Sequence, residues 1–406
     1  MPSPYALVAF QPARPRTAWP LPQPRPGPRR PRPRVCFVGL ENLPVLSRAY
    51  NRHGIGGEQV QHTLLARALA QRGFEVSMVV ADYGQADGAR VDGIVLHKAH
   101  GLDDGIPVLR FVHPRLTRLW SALRRADADV YYLSCASLQL GLAAAFARLH
   151  GRRVVFRLAS DTDCEPDRLL IRHARDRWLY EWGLRRADVV LAQSEHQARR
   201  LRANYGLGSR VAGMLVEPAR RVRTFAERDI DLLWVSNLRP LKRPELALEL
   251  ARRLPGLRLH LAGGPMAGHE ALYAAVQAQA EALPNARFHG RVPYHDVGAL
   301  YERARVFVNT SDIEGFPNAY LQAWRHGTPS VAFFDPDDVV RTQGLGCAAR
   351  GLDELADAAQ RLATDQAAWA AAHGRCLRFM DARYGDEQVL GPYIEALEGA
   401  AAGVRA

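Results

Sequence analysis

The sequence is almost devoid of lysine. Of its 54 basic residues only Lys98 and Lys242 are lysines, and the other 52 are arginines. It also lacks any apolar run near the roughly 18 residues that a membrane-spanning helix needs, which excludes a chain built around such helices. Cysteine is scarce: Cys36, Cys135, Cys164, Cys347 and Cys376 are scattered, odd in number and without metal-ligand spacing. That pattern excludes a disulfide framework or a zinc site and predicts buried free thiols in a reducing compartment. Residues 1–34 hold no acidic residue at all, but carry 11 of the 26 prolines and seven arginines. Such a stretch cannot bury enough apolar surface to fold, so residues 1–33 are expected to be a disordered tail. The one apolar run nearby, Val35 to Leu40, is six residues long and ends in Glu-Asn. A secretion signal needs a longer continuous run, so the expectation is a cytoplasmic protein.

What is present is ordinary globular material. A length of 406 residues makes two or three domains at roughly 100–200 residues each. Beyond the tail, 47 basic residues face 42 acidic ones, a net charge of +5 against +12 for the whole chain. The charge argument for a nucleic-acid partner therefore mostly disappears with the tail, and no nucleic-acid-binding motif is present. From Arg34 onward short β-rich runs alternate with amphipathic helical patterns. Val35–Leu40, Glu75–Val80, Ile94–Leu96, Val130–Leu133, Val154–Leu158 and Val189–Ala192 read as strands, with a helix over Glu58–Gln71. Glu217 to Asp229 is polar and arginine-rich and reads as a linker. The alternation then restarts with Leu232–Val235, Leu257–Ala262, Phe288, Val306–Asn309 and Ser330–Phe333, separated by helices. Strands apolar on both faces and separated by helices imply parallel, doubly covered sheets. The expected fold is α/β: two Rossmann-like domains facing across a cleft.

Open parallel sheets bind ligands beyond the carboxyl ends of their strands, so the strand-to-helix loops are where chemistry is expected. Three loops stand out. His53-Gly54-Ile55-Gly56-Gly57-Glu58 runs into a helix whose first N–H groups suit a phosphate; a plain flexible turn explains it as well. Ser236-Asn237-Leu238-Arg239-Pro240-Leu241-Lys242-Arg243 follows a strand with three cations that could neutralise a diphosphate, or simply face solvent. Asn309 to Trp324 includes Glu314-Gly315-Phe316-Pro317-Asn318, with Gln322 four residues further on the same helical face. A carboxylate and two amides converging there suit sugar hydroxyls, and incidental polar residues at a helix start are the alternative. Asp161-Thr162-Asp163 matches an Asp-x-Asp metal motif. The same pattern recurs at 127/129, 229/231 and 335/337, which dilutes its meaning, and no metal dependence is expected. The arginine-rich stretches Pro114–Ala126 and Asp167–Ala187 read as helices that either bury an apolar stripe or rest on an anionic membrane surface.

The segment around Glu314 resembles the Glu-x7-Glu loop of family 4 of the glycosyltransferases, retaining enzymes of the GT-B fold. Gly56-Gly57-Glu58 and Lys242 fall where that family has its glycine-rich and diphosphate-binding loops. Phe288-His289-Gly290-Arg291-Val292, Leu300-Tyr301 and Gly327-Thr328-Pro329 resemble its C-terminal pattern. The resemblance runs through residues 34–400, most strongly from 231 to 335. It implies an acceptor domain at 34–216, a linker at 217–230, a nucleotide-sugar domain at 231–385 and a final helix, 386–406, crossing back to the first domain. It implies transfer of a sugar from a nucleoside diphosphate sugar to a glycan or lipid-linked hydroxyl acceptor in glycan, polysaccharide or glycolipid synthesis, with no cofactor. Lys242 and Arg239 would stabilise the leaving diphosphate and Glu314 the sugar. Donor contacts would come from Gly56, Gly57, Asn237, Arg291, Val292, Gly315, Phe316, Pro317, Asn318 and Gln322.

Three positions depart from the family. Gln322 stands where the second acid is usual, and Asn237 where a loop arginine is usual. Ala159-Ser160-Asp161 stands where many members have a histidine, which leaves Ser160, Asp161 or Asp163 to face the acceptor. A nucleotide-sugar epimerase shares the fold but needs acids or histidines placed for proton abstraction. A non-catalytic basic protein that binds membranes or nucleic acid is the remaining class.

Overall fold

The structure, a computed structural model, describes residues 32–50, 55–105 and 111–403. The expected disordered tail therefore lies, except for its last two residues, outside the described residues, as do His53 and Gly54 of the first glycine loop.

Eight strands form the first sheet: β1 (Val35–Val38), β2 (Val76–Val80), β3 (Arg90–Val91), β4 (Ile94–Lys98), β5 (Val130–Ser134), β6 (Arg153–Arg157), β7 (Val189–Ala192) and β8 (Arg210–Val211). Their order is β3-β4-β2-β1-β5-β6-β7-β8. All pairings are parallel except β3 with β4 at the edge. Asp92 and Gly93 join that hairpin, both with positive φ (50° and 80°), the geometry of a two-residue primed turn. Alternate residues of β1 face opposite cores. Cys36 and Val38 pack among the helices Thr117–Ala126, Leu138–Leu149 and Ala174–Leu184. Val35 and Phe37 pack under the helices Gly57–Gln71 and Asp386–Ala402. Two of the covering helices touch through glycine. A Cβ on Gly141 would stand 2.3 Å from the Leu179 carbonyl oxygen, and one on Gly183 2.7 Å from the Gly141 nitrogen.

The second sheet has β9 (Ile230–Val235), β10 (Leu259–Ala262), β11 (Ala286–Phe288), β12 (Ala304–Asn309), β13 (Ser330–Ala332) and β14 (Gly346–Ala348). Its order is β11-β10-β9-β12-β13-β14, all parallel. The helix Gln366–Arg383 buries Ala372, Cys376 and Met380 against this half, whereas Leu390, Tyr393 and Leu397 of the next helix join the core of the first sheet.

Some local expectations are corrected. Asp167–Ala187 is not one helix: a short 3-10 turn at Pro166–Arg168 is followed by irregular chain and then the helix Ala174–Leu184. Pro114–Ala126 begins as a wide turn over Phe111–Leu116, where proline removes a backbone donor, and becomes regular only at Thr117. Ile230, the last residue of the expected linker, already belongs to β9. The five cysteines are free; Cys36, Cys164 and Cys376 are buried, while Cys135 and Cys347 are half-buried.

The linker also holds a buried charge. Arg228 is 1% exposed, and among the described residues no carboxylate forms an ion pair with it. Its guanidinium donates to the carbonyls of Ala304 (2.5 Å) and His326 (2.5 Å) and to Thr328 Oγ1 (2.7 Å), and lies over the Trp369 ring. Ala304 and His326 cap the carboxyl ends of the helices Tyr294–Arg303 and Asn318–Arg325, whose dipoles supply the negative charge. Arg228 thereby anchors the helix that follows the Glu314 loop.

Candidate active site

The loops after β9 and β12 lie side by side because those strands are neighbours in the sheet. Several contacts clamp them together. Thr310 Oγ1 stands 2.8 Å from the Lys242 carbonyl oxygen and 2.9 Å from that of Arg243, and accepts from Trp234 Nε1 at 3.0 Å. The Asp312 N–H donates to the Leu241 carbonyl, and Arg243 pairs with the Asp312 carboxylate at 3.1 Å. Arg243 itself adopts a left-handed backbone (φ 49°) at the junction between the 3-10 turn Pro240–Lys242 and the helix Pro244–Arg253. The outcome is an ion pair at the carboxyl ends of the strands: Lys242 Nζ is 2.5 Å from Glu314 Oε1. Their side chains are only 10% and 13% exposed. In so little water each charge depends on the other, and a third charge arriving there is felt strongly.

The first domain closes over this pair through polar contacts to its backbone. The Phe316 N–H donates to Gln193 Oε1 at 2.7 Å, and the Asp161 N–H donates to the Glu314 carbonyl at 3.2 Å. Gly315 fits between them: a Cβ there would come within 2.5 Å of Gln193 Oε1 and 2.7 Å of the Ala159 carbonyl. Asn318 Nδ2 donates to the Gly57 carbonyl at 2.8 Å, and Gln61 Nε2 donates to Asn318 Oδ1 at 3.0 Å. A Cβ on Gly57 would stand 2.6 Å from Asn318 Nδ2, which explains the glycine. Gly56 is the residue before that helix, and Asn237 Nδ2 donates to the neighbouring Ile55 carbonyl at 2.7 Å. Asp337, in a left-handed turn, accepts from the N–H groups of Glu195 (2.8 Å) and His196 (3.0 Å), capping a helix of the first domain.

The other expected residues are placed as follows. Arg239 precedes the 3-10 turn carrying Lys242, and its buried Nε has no hydrogen-bond partner among the described residues. Arg291 lies against Gly264 and donates to the Pro265 carbonyl; Val292 packs at the edge of the second domain's core. Phe316 is buried edge-on to Trp324, and Pro317 precedes the helix Asn318–Arg325. Gln322 is half-buried, and among the described residues no hydrogen bond joins its side chain to Lys242 or Glu314. Asp163 shapes its own loop: its carboxylate accepts from the Ala159 (2.7 Å) and Ser160 (3.1 Å) N–H groups, and burial pushes it up to about 6. Ser160 caps the same short turn, and the Asp161 carboxylate takes a bond from Gln197 Nε2 at 3.0 Å.

The Asp-x-Asp pairs are engaged elsewhere. Asp127 and Asp129 pair with Arg34 and Arg152, and Asp229 and Asp231 with Arg303, Arg258 and Arg305. Asp335 caps the Val340 and Arg341 N–H groups. Among the described residues no group of three or more His, Cys, Asp or Glu is placed to hold a metal ion.

Sequence reasoning passed over Gln193, Gln61 and Glu58. A glutamine that accepts from a backbone N–H of another domain has no pattern to announce it. Glu58 had a signal, being the first acid after Gly56-Gly57. Burial, with Asp163 and Glu41 nearby, pushes its carboxyl up to about 8. His62, one turn on and 3.8 Å from it, is driven down to about 3 by burial and by Arg157.

Comparison with known proteins bears on the family and the fold. The family model described as Glycosyltransferase Family 4 matches residues 55–212, and that described as Glycosyl transferases group 1 matches residues 229–365. A D-inositol 3-phosphate glycosyltransferase of Frankia alni is 37% identical over 129 residues, which are 29% of this chain and 32% of that protein. The matched stretch thus spans about a third of the curated relative. Among solved structures, Anabaena HepE in complex with UDP and glucose aligns with a TM-score of 0.69 at 15% identity, covering 90% of this chain and 100% of that one. Sucrose-phosphate synthase of Thermosynechococcus elongatus aligns with a TM-score of 0.71 at 18% identity, covering 91% and 100%. These likenesses establish the fold as GT-B.

Proposed function

The chain belongs to glycosyltransferase family 4, and on that premise we propose that it transfers a sugar from a nucleoside diphosphate sugar to a hydroxyl acceptor, with retention of configuration. The observation that carries this reading is the Lys242–Glu314 pair, shielded from water where two strand-end loops meet the opposite domain. The bond between the sugar's anomeric carbon and the diphosphate oxygen breaks, and negative charge grows on that oxygen. Lys242 and Arg239 stabilise it, the kind of preorganised electrostatic contribution that dominates many enzymes. Glu314 holds the sugar's hydroxyls and favours the positive character that develops at the anomeric carbon. The acceptor oxygen bonds to that carbon on the same face, and its proton passes to the departing diphosphate. Asn237, Asn318, Gly56 and Gly57 keep the two domains in register around the donor.

A thermal-shift panel of UDP, GDP, ADP and TDP tests the reading. A nucleotide at 100 times its Kd stabilises the fold by about 2.7 kcal/mol, and one of the four is expected to do so. No stabilisation by any of them, together with no turnover of the matching sugar donors, sinks the proposal.

We assign the reaction to glycan or glycolipid synthesis at the cytoplasmic face of a membrane. Leu170 and Trp178 are 69% and 61% exposed, and Arg168, Arg172 and Arg177 accompany them. Apolar groups amid cations suit an anionic bilayer surface. Co-sedimentation with anionic vesicles, lost in zwitterionic ones, is the expected result; equal behaviour in both refutes the contact.

A further inference from the structure

Asp337 stands on the turn that follows β13, at the carboxyl end of the second sheet. Its carboxylate reaches the opposite domain. One oxygen accepts the Glu195 N–H at 2.8 Å and the other the His196 N–H at 3.0 Å. These are the first two residues of the helix Glu195–Tyr205. Ser194 Oγ takes the next N–H, that of Gln197, at 3.2 Å. The opening donors of a helix are ordinarily met by the residue just before it or by water. Here one is met locally and two by a residue 142 and 141 positions further along the chain. The positive end of the helix favours the carboxylate it receives.

The turn is shaped for this reach. Asp337 and Asp338 both hold left-handed backbones, with φ of 49° and 57°. Non-glycine residues rarely adopt that conformation, and two in succession persist only where the surroundings hold them. The Asp335 carboxylate does so by accepting the Val340 and Arg341 N–H groups at 2.7 and 3.2 Å, and Arg341 pairs with Asp338. Asp335 and Asp338 thus serve the turn itself, whereas Asp337 turns its carboxylate to the other domain. The helix it caps is the one that reaches the Glu314 loop. Gln193, two residues before the helix, accepts the Phe316 N–H. Gln197, in its first turn, accepts the Gln193 N–H at 2.9 Å and donates to the Asp161 carboxylate at 3.0 Å. The Asp161 N–H in turn donates to the Glu314 carbonyl. Gln193 and Gln197 are buried, while Asp337 is exposed at the rim. Bonds at the rim exchange with bonds to water at little net cost, so they make and break as the domains move.

We infer that Asp337 is a positioning residue: it clamps the start of the helix Glu195–Tyr205 onto the second domain, and so sets the fraction of molecules in which Gln193 and Asp161 hold the Glu314 loop. It acts through those residues and not on the reacting atoms. The inference rests on the glycosyltransferase reading for its effect on turnover, and on the contacts alone for its effect on molecular shape.

Two substitutions open the clamp from opposite sides. Asp337→Gly deletes the carboxylate and suits the left-handed backbone, so the turn itself is not strained by the change. Glu195→Pro deletes one of the two donors at the first helical position, which tolerates proline, and the extended Ser194 before it is compatible too. Turnover of the nucleotide sugar is expected to fall about 10-fold in Asp337→Gly and about 3-fold in Glu195→Pro, as the closed fraction falls. The double variant is expected to be no slower than Asp337→Gly, because both changes break one contact. Nucleotide Kd should stay within about twofold, since Lys242 and Glu314 meet inside the second domain. Small-angle X-ray scattering of the full chain without nucleotide should show a larger radius of gyration in both single variants. Asp337→Asn, which keeps one acceptor, is expected to lose about 3-fold and serves if the glycine variant does not fold. Losses that multiply in the double variant, or a radius of gyration and turnover unchanged from wild type, overturn the clamp. If the wild-type chain turns over no nucleotide sugar while the variants still expand, the clamp stands and the transferase reading falls.

Discussion

Gln193 Oε1 accepts the Phe316 backbone N–H at 2.7 Å, so a side chain of one domain fixes the loop that carries Glu314 in the other. Gln193 is 8% exposed, and water does not readily replace it. Among the described residues no hydrogen bond joins its side chain to Lys242 or to the Glu314 carboxylate. Its role is that of a positioning residue, and Gly315 is the size complement that lets the two loops approach.

Gln193→Met keeps the volume and removes the acceptor, leaving the Phe316 N–H unpaired at a cost of about 1–3 kcal/mol. The expected effect is a fall in kcat of about 10-fold with nucleotide Kd within about twofold. A merely structural role would lower Tm and leave kcat per folded molecule unchanged.

On the proposed mechanism Lys242→Ala removes one contact to the diphosphate and is expected to slow transfer by about 10- to 100-fold. It also strands the Glu314 carboxylate, and breaking a buried pair this way costs about 3–5 kcal/mol of stability. The double variant Lys242→Met/Glu314→Leu should regain most of that stability while remaining inactive. Denaturant melts and turnover on the three proteins separate the two effects; undiminished turnover in Lys242→Ala refutes the diphosphate role.

Glu314 and Gln322 should divide between kcat and KM. On the proposed mechanism Glu314 acts on charge present only in the transition state, so Glu314→Ala is expected to fall chiefly on kcat. On the proposed mechanism Gln322 offers a neutral hydrogen bond to a ribose hydroxyl that does not change, worth about 0.5–1.5 kcal/mol. Gln322→Ala should raise donor KM about 2- to 12-fold with kcat nearly intact. The opposite split in steady-state kinetics reverses the roles assigned to the two residues.

Glu58 and His62 predict an unusual pH profile of stability. The folded state raises Glu58 from 4.5 to about 8, so its protonated form adds stability that is full below 4.5 and lost as pH rises toward 8. The folded state lowers His62 from 6.5 to about 3, so its neutral form adds stability that is full above 6.5 and lost as pH falls toward 3. The two slopes oppose one another from pH 4.5 to 6.5, and only the loss from Glu58 remains from 6.5 to 8. Thermal melts should show a plateau followed by a decline. Glu58→Gln should abolish the decline and raise stability at pH 8 by about 2 kcal/mol. An unchanged profile in that variant refutes the assignment.

The residue order by itself determines the alternation of the fold. Val-Cys-Phe-Val at β1 and Val-Ser-Met-Val-Val at β2 are apolar on both faces, and only helices on each side can bury them. It determines the local form of the site loops too, because Glu314-Gly315-Phe316-Pro317-Asn318 carries its own glycine and a proline just before the helix. The two-residue strands β3 and β8 and the short β14 are not legible, because they exist through their neighbours' hydrogen bonds and not through any periodicity of their own. Only the tertiary structure decides that Lys242 meets Glu314 across 72 residues, that Gln193 reaches Phe316 across 123, and that Arg228 finds two helix ends for partners. Propensity and patterning act over a turn or a strand. Such contacts are set by which strand packs beside which, and that order belongs to the assembled sheets alone.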